Sequence, residues 1–263
     1  MRPIAINLHA KRGMETEAYI GKAREVGFNA LMSEALPLEE LEKIAKLLLQ
    51  QGMSYEMIHA PFRHVNDIWR DDESGERMLA EMINAVQGAA AVGCPTVVVH
   101  LTAGKILPRI TDLGGARYEI LVEYAACKGV KIAFENQRSF SHLAWALERF
   151  EKAPNVGFCW DCGHEGCFTQ GREFMPVFGD KLICTHLHDN NGVLNDDQHK
   201  IPFDGTLDMS RVARQLRQGK YSGTLTLELF AENTNFYDRM IVFAFLEKAA
   251  MAAKRLRLMV DGF

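Results

Sequence analysis

Short apolar runs alternate with longer stretches that repeat apolar residues at helical spacing along the whole chain. Runs such as TVVVHL and TLTLELF are apolar at nearly every position, which is typical of parallel strands covered by helices. The pattern predicts strands at residues 3–10, 29–35, 54–62, 96–102, 131–137, 156–163, 182–190 and 223–230. It predicts helices at residues 37–51, 76–92, 116–128, 141–151, 209–218 and 236–259.

Glycine and proline mark the predicted helix boundaries. Gly52, Gly93 and Gly129 each stand where a helix should stop before the next strand, and Pro37 suits a first helical turn. Eight strand–helix repeats average about 33 residues each, a usual length for a βα unit. Such a pattern gives either an open doubly wound sheet or a closed barrel. Because the count is eight and no GxGxxG follows the first strand, we predict an α/β fold, a single (β/α)8 TIM barrel formed by residues 1–263 as one domain.

Composition and charge restrict the function classes. Hydrophobic residues make up 48% of the chain and charged residues 24%, which is typical of a folded soluble protein. The net charge of −4 argues against a surface built for nucleic acid or anionic lipid. The start lacks the apolar run of a signal peptide, so we expect a cytoplasmic protein without a membrane span. Cys159 and Cys162 have CxxC spacing, but we interpret them as apolar filler because no second CxxC exists.

Ionisable residues stand at the end of nearly every predicted strand: His9, Glu34, His59, His100, Glu135, Asp161 with His164, His186 with His188 and Asp189, and Glu228. In a (β/α)8 barrel, the active site lies at the carboxyl ends of the strands. Burying an unpaired carboxylate costs several kcal/mol, so this ring of carboxylates and imidazoles predicts a shared site. For His9, Glu34 and His188, a structural hydrogen bond explains the residue equally well.

The strand-end residues have the chemistry of a divalent metal site. Two Glu, one Asp and one His form an oxygen-rich donor set that suits Mn²⁺ or Mg²⁺ and also accepts Zn²⁺ or Co²⁺. One such ion with open coordination positions can polarise the carbonyl of a sugar. Glu135 and Glu228 would then face opposite sides of the substrate, one taking the proton beside the carbonyl and the other returning one.

The segments that carry these residues resemble the xylose isomerase-like TIM barrel superfamily, which contains sugar phosphate isomerases and epimerases and the endonuclease IV enzymes (AP endonuclease family 2). They are IHAPF, VVVHLTAG, IAFENQ, GFCWDCGHEG, THLHDNNGVLNDDQHKIPFDGTLD and LTLELF. The resemblance implies that Glu135, Asp161, His186 and Glu228 bind the metal and that Glu135 and Glu228 are catalytic. His186 is preferred to His188 because it stands three residues before Asp189. The residues expected to contact substrate or line its pocket are His59, His100, His164 and His199.

The resemblance leaves four reactions open. The ketose epimerase branch has an arginine six residues beyond the metal-binding histidine, where this chain has Gly192. This difference argues against a ketose 3-epimerase but does not affect the metal ligands. Isomerases, epimerases and dehydratases that act on an inosose or a dehydroshikimate share the same first proton abstraction. A zinc phosphodiesterase acting on abasic DNA is the other alternative, because Asp197 and His199 extend the match towards the trinuclear zinc site of endonuclease IV.

The partner expected from the charges is a small molecule. Lys and Arg residues are scattered over the predicted strand-end loops, and the acidic segments DDES and NDD would repel a duplex. We therefore expect a sugar or sugar phosphate rather than nucleic acid. The apolar last helix should pack on the barrel, and pairing with a second subunit in a homo-oligomer is the alternative.

Overall fold

The computed structural model describes residues 1–169, 172–232 and 234–262, which form a parallel sheet of eight strands. The strands pair in an order that runs from the seventh down to the first and then to the eighth, and a bridge between Leu187 and Leu227 lies between the two ends. This nearly closed sheet confirms the predicted single (β/α)8 TIM barrel. The strands are β1 (Ile4–Asn7), β2 (Ala30–Glu34), β3 (Ser54–His59), β4 (Thr96–His100), β5 (Lys131–Glu135), β6 (Val156–Asp161), β7 (Leu182–His186) and β8 (Leu225–Leu227).

Helices fill the connections and cover the outside of the sheet. Gly52, Gly93 and Gly129 all have positive φ values, as their place at helix ends predicts. In the described part of the chain the helices are α1 (Thr16–Val26), α2 (Leu38–Gln50), α3 (Glu73–Ala91), α4 (Asp112–Cys127), α5 (Phe140–Arg149), α6 (Cys162–Phe168), α7 (Met175–Phe178), α8 (Met209–Gln218) and α9 (Val242–Asp261).

Several predicted strands end early, because the chain turns there into the segments that carry polar residues. The predicted run 3–10 gives way to a 3₁₀ turn at Leu8–Lys11. The predicted run 156–163 ends at Asp161, whose side chain accepts a hydrogen bond from His164 N and so begins α6. The predicted strand at 182–190 likewise ends at His186. The prediction of ionisable residues at the strand ends is confirmed for the last residues of six strands and wrong for those beyond them. The six are Glu34, His59, His100, Glu135, Asp161 and His186, whereas His9, His164, His188 and Glu228 follow the strand ends.

The core has two layers. A small cluster fills the inside of the barrel, and a much larger one lies between the sheet and the helices. Cys159 packs within the inner cluster, as expected for an apolar filler. The polar residues begin where this inner layer ends, at the carboxyl ends of the strands. The inner cluster consists of Met32, Met57, Val98, Ala133, Cys159 and Cys184.

The first and last parts of the chain meet along β1. This strand pairs with both β2 and β8, and Asn7 exchanges two side-chain hydrogen bonds of 2.9 Å with the backbone of Leu229, 222 residues away. Nearby, Arg2 Nε lies 3.0 Å from Asp261 Oδ1. Helix α9 packs against α1 and α8, as predicted for the last helix. In the described ranges, none of the helices combines the length and apolar character that crossing a membrane requires.

Candidate functional site

Glu135, at the end of β5, is the centre of the strand-end cluster. Its side chain is fully buried, and four imidazoles surround it. His59 Nε2 and His100 Nε2 lie 3.2 and 2.9 Å from Oε2, while His164 Nδ1 and His186 Nδ1 lie 3.0 and 3.4 Å from Oε1. Burial alone would raise the pKa of Glu135, but the charges of His100 and His186 lower it well below its usual value. Glu135 is therefore a carboxylate.

The four predicted metal ligands lie together. Glu135, Asp161, His186 and Glu228 each offer one ligand atom, and all four atoms lie within 4.8 Å of one another. They come from the ends of β5, β6 and β7 and from the segment that follows β8. Burial alone would lower the pKa of His186, but Glu228 and Glu135 raise it to about 10. The two carboxylates therefore favour a positive charge on this ring or beside it.

The ring nitrogens show that these residues fit a metal ion. His186 is fully buried, yet within the described residues neither of its ring nitrogens has a hydrogen-bond partner. His59 Nδ1 donates to the Ala60 carbonyl at 2.8 Å, which turns its Nε2 towards Glu135. An imidazole fixed through Nδ1 on a backbone carbonyl presents the Nε2 lone pair, as metal-binding histidines do. His59 Nε2 thus lies where it can either donate to Glu135 or bind a metal ion together with it.

A second group of possible ligands lies beside the first. His164, His188, Asp197 and His199 offer ligand atoms within 4.8 Å of one another. His199 Nδ1 donates to the Glu228 carbonyl at 2.9 Å, and the Nε2 atoms of His199 and His164 each lie 3.1 Å from the same oxygen of Asp197. Burial alone would raise the pKa of Asp197, but the two imidazoles lower it well below its usual value. A third set, formed by His59, Glu135 and His186, shares two residues with the first.

The carboxylate of Asp189 stabilises the loop that carries Asp197 and His199. It is fully buried, and burial raises its pKa, although its hydrogen bonds partly offset the rise. With its two oxygens accepting four backbone N–H groups, the carboxylate ties both ends of residues 189–208 together. The four donors, at 2.8–3.0 Å, are the amides of Asn190, Phe203, Gly205 and Leu207.

His188 belongs to the site, although the sequence did not distinguish a functional from a structural role for it. Its Nε2 lies 3.0 Å from Asp161 Oδ1, and its ring stacks on His199 at 3.9 Å. A Cβ atom at Gly163 would come within 1.9 Å of the His188 ring, so only glycine leaves room for it there. His188 therefore fixes the position of Asp161 relative to the ring of His199.

Gln137 is a further residue of the site that was not predicted from the sequence. Its Nε2 lies 3.0 Å from both His100 Nε2 and His164 Nδ1, and 3.4 Å from Glu135 Oε1. Its position two residues after Glu135, in the polar segment ENQ, was the available signal.

His9 and Glu34 lie at the rim rather than in the buried cluster. His9 Nδ1 is 3.6 Å from Glu34 Oε1, and their side chains are 47% and 61% exposed. At this distance the two side chains form no hydrogen bond with each other, so the structural hydrogen bond offered as the alternative for them is not made between these two residues.

A cavity of about 260 Å³ opens above the cluster. It approaches the size range of small-molecule sites, about 300–1,000 Å³. The predicted contact residues His59, His100, His164 and His199 all line it, together with Glu135 and Glu228. Phe62, Phe168 and Phe230 add apolar surface. The arrangement can hold a small polar molecule between aromatic rings and the carboxylates and imidazoles that could bind a metal ion.

Comparisons with known proteins identify relatives of the chain. A family model described as "xylose isomerase-like TIM barrel" matches residues 20–259. The uncharacterized protein y4fM of Sinorhizobium fredii is 29% identical over 203 residues, which cover 70% of this chain and 64% of that protein, less than two thirds of its length. The uncharacterized protein MJ1311 of Methanocaldococcus jannaschii is 27% identical over 216 residues, covering 74% of this chain and 71% of that protein.

Solved structures share the fold along the full chain. A D-tagatose 3-epimerase-like protein has a TM-score of 0.78 and 23% identity, with 99% of this chain and 98% of that chain covered. An L-ribulose 3-epimerase has a TM-score of 0.79 and 16% identity, with 100% and 95% covered.

Proposed function

We propose, on the premise that the chain belongs to the xylose isomerase-like TIM barrel family, that it is a metal-dependent isomerase or epimerase of a sugar or sugar phosphate. The observation that carries the proposal is the grouping of Glu135, Asp161, His186 and Glu228 within 4.8 Å of one another, two of which, Glu135 and Glu228, line a small cavity. The names of the structural neighbours, a D-tagatose 3-epimerase-like protein and an L-ribulose 3-epimerase, support the same class of reaction.

The four residues would hold one divalent ion, Mn²⁺, Mg²⁺, Co²⁺ or Zn²⁺, which when bound would polarise the substrate carbonyl. Glu228 meets the cavity with 15% of its side chain exposed, whereas the Glu135 side chain is enclosed. A carboxylate oxygen of Glu228 is thus well placed to take the proton beside the carbonyl. Glu135 would return a proton on the other side after receiving it from the His164 ring, whose Nδ1 lies 3.0 Å from Oε1 and whose pKa the nearby carboxylates raise. His59, His100, His164 and His199 would orient the hydroxyl groups, and the aromatic rings would keep water from the reacting carbon.

Proton exchange with solvent tests this proposal. The protein is loaded with each metal in turn and incubated in D₂O with ketoses, ketose phosphates and inososes. Proton abstraction beside the carbonyl exchanges that hydrogen for deuterium, which NMR detects together with any isomer, epimer or dehydrated product. Glu228→Gln should abolish the exchange. Glu34→Gln is the matched control, because Glu34 also lines the cavity but lies outside the metal group. Absence of exchange with every substrate and metal would refute the proposal.

A zinc phosphodiesterase acting on abasic DNA is the second candidate function. The observation in its favour is the group His164, His188, Asp197 and His199 next to the first group, since adjacent metal ions clamp both oxygens of a phosphoryl displacement. The net charge of −4 weighs against a DNA substrate.

Metal content separates the two candidates. About one equivalent of Mn, Co or Zn per chain, measured by elemental mass spectrometry on protein purified without chelators, supports the isomerase. Two or three equivalents of zinc with cleavage of an abasic duplex would support the phosphodiesterase instead.

A further inference from the structure

Arg138 brings a positive charge into the cavity. Among the described residues, it is the one Lys or Arg side chain in the lining. It follows β5, three residues after Glu135, and its side chain is half-buried. The other ionisable residues of the lining are carboxylates and histidines.

The guanidinium group is held in place from two sides. It lies over the ring of Phe168, with its central carbon 3.5 Å from the ring centre. Its Nε donates to Asn195 Oδ1 at 3.1 Å, and Asn195 is anchored in turn by a 2.9 Å bond from its backbone N to the Cys167 carbonyl. Stacking and a tethered Nε fix the plane of the group, so little side-chain freedom remains to be lost when a ligand binds.

The terminal nitrogens of Arg138 remain available. Within the described parts of the chain, no hydrogen bond from Nη1 or Nη2 and no carboxylate oxygen within 4.0 Å is found. The nearby carboxylate of Asp197 instead faces His164 and His199, each at 3.1 Å. Within the described residues, Arg138 therefore forms no structural ion pair. Its planar guanidinium group can donate two parallel hydrogen bonds to two oxygens of an anion.

We propose that Arg138 binds an anionic group of the substrate, so that the substrate is a sugar carrying a phosphate or a carboxylate. This inference rests on the proposed function and names the substrate class of the same cavity. The carbonyl end would lie at the four-residue metal group, and the anionic end at the Arg138 fork. An uncharged ketose would leave the guanidinium without a partner inside a partly desolvated cavity, which disfavours its binding.

An NMR titration tests the assignment without turnover. The probes are D-fructose 6-phosphate, D-glucuronate, D-fructose and inorganic phosphate, each added to chelator-treated protein and to the zinc-loaded protein. The variants are Arg138→Gln and Arg138→Lys. Arg255→Gln is the matched control, because Arg255 also stacks on a phenylalanine, at 3.9 Å from the ring centre of Phe203, but does not line the cavity.

Wild type should bind at least one of the two anionic sugars about tenfold or more tightly than D-fructose. Arg138→Gln should weaken that binding by about 10- to 100-fold, the usual value of a charge-assisted contact, in the presence and absence of zinc. Arg138→Lys should fall between, and Arg255→Gln should match wild type. The tighter of D-fructose 6-phosphate and D-glucuronate identifies the anion.

Binding within twofold of wild type in Arg138→Gln would overturn the inference, as would stronger binding of D-fructose than of both anionic sugars. Equal binding of inorganic phosphate and D-fructose 6-phosphate would also overturn it, because the sugar would then contribute nothing. Failure of the proposed function would appear separately, as absent deuterium exchange with Arg138-dependent binding intact.

Discussion

Replacing Asp189 by Asn tests whether one carboxylate holds the loop that carries Asp197 and His199. Oδ1 accepts from two backbone amides and Oδ2 from two others, at 2.8–3.0 Å. Asparagine keeps one oxygen, and in either orientation its NH₂ group faces two N–H donors. Two charge-assisted hydrogen bonds are lost, and at about 1.5–3 kcal/mol each the expected cost is about 3–6 kcal/mol.

The assay is amide hydrogen exchange of residues 203–207 combined with urea unfolding. If the loop stays closed, the free energy of unfolding falls by that amount; if the loop opens, the same loss appears as faster amide exchange of the loop. Asp196→Asn is the matched control, since Asp196 is exposed on the same loop and accepts one bond, from Gln198. A change in both measurements below about 0.5 kcal/mol in Asp189→Asn would refute the reasoning.

Three further predictions concern the metal group. Glu135→Gln should abolish turnover while leaving the fold intact, which activity and circular dichroism check; a fully active variant would contradict the acid–base role. Glu228→Ala should lower both metal content and activity, and unchanged metal content would remove Glu228 from the ligand set. In the metal-free protein the carboxylates raise the pKa of His186 to about 10 and of His199 to about 9, above the ordinary value of 6.5. Their protonated rings therefore stabilise the fold fully below about pH 6.5, and this stability is lost as pH rises towards 10. Tm should fall and metal affinity should rise over this range, because binding releases protons; flat profiles would show that the rings do not titrate in this way.

The barrel and the predicted site residues could be read from the sequence for one reason. Parallel strands bring their carboxyl ends to one face, so residues as distant as His59 and Glu228 are placed together by topology alone. No knowledge of side-chain contacts is needed for that step.

Features that depend on contacts between loops could not be read in the same way. Helix α6 contains two glycines and lacks an apolar repeat, so its start depends on the Asp161 cap. The four donors to Asp189 are spread over 18 residues, and no local pattern indicates that they meet. His186 and His188 are two residues apart, so strand geometry would place both rings on one face, but only the contact with Gly163 shows where the His188 ring fits.

The pairing of β1 with β8 has a consequence for how the chain folds during synthesis. The first strand leaves the ribosome early, but one of its edges has no partner until Leu225 and the residues after it have emerged. An open, apolar strand edge is a site of wrong pairing and aggregation, and contacts this distant in sequence form slowly. Closure of the barrel is therefore a late event, and a nascent chain that stalls before β8 would expose β1 to chaperones or to other chains.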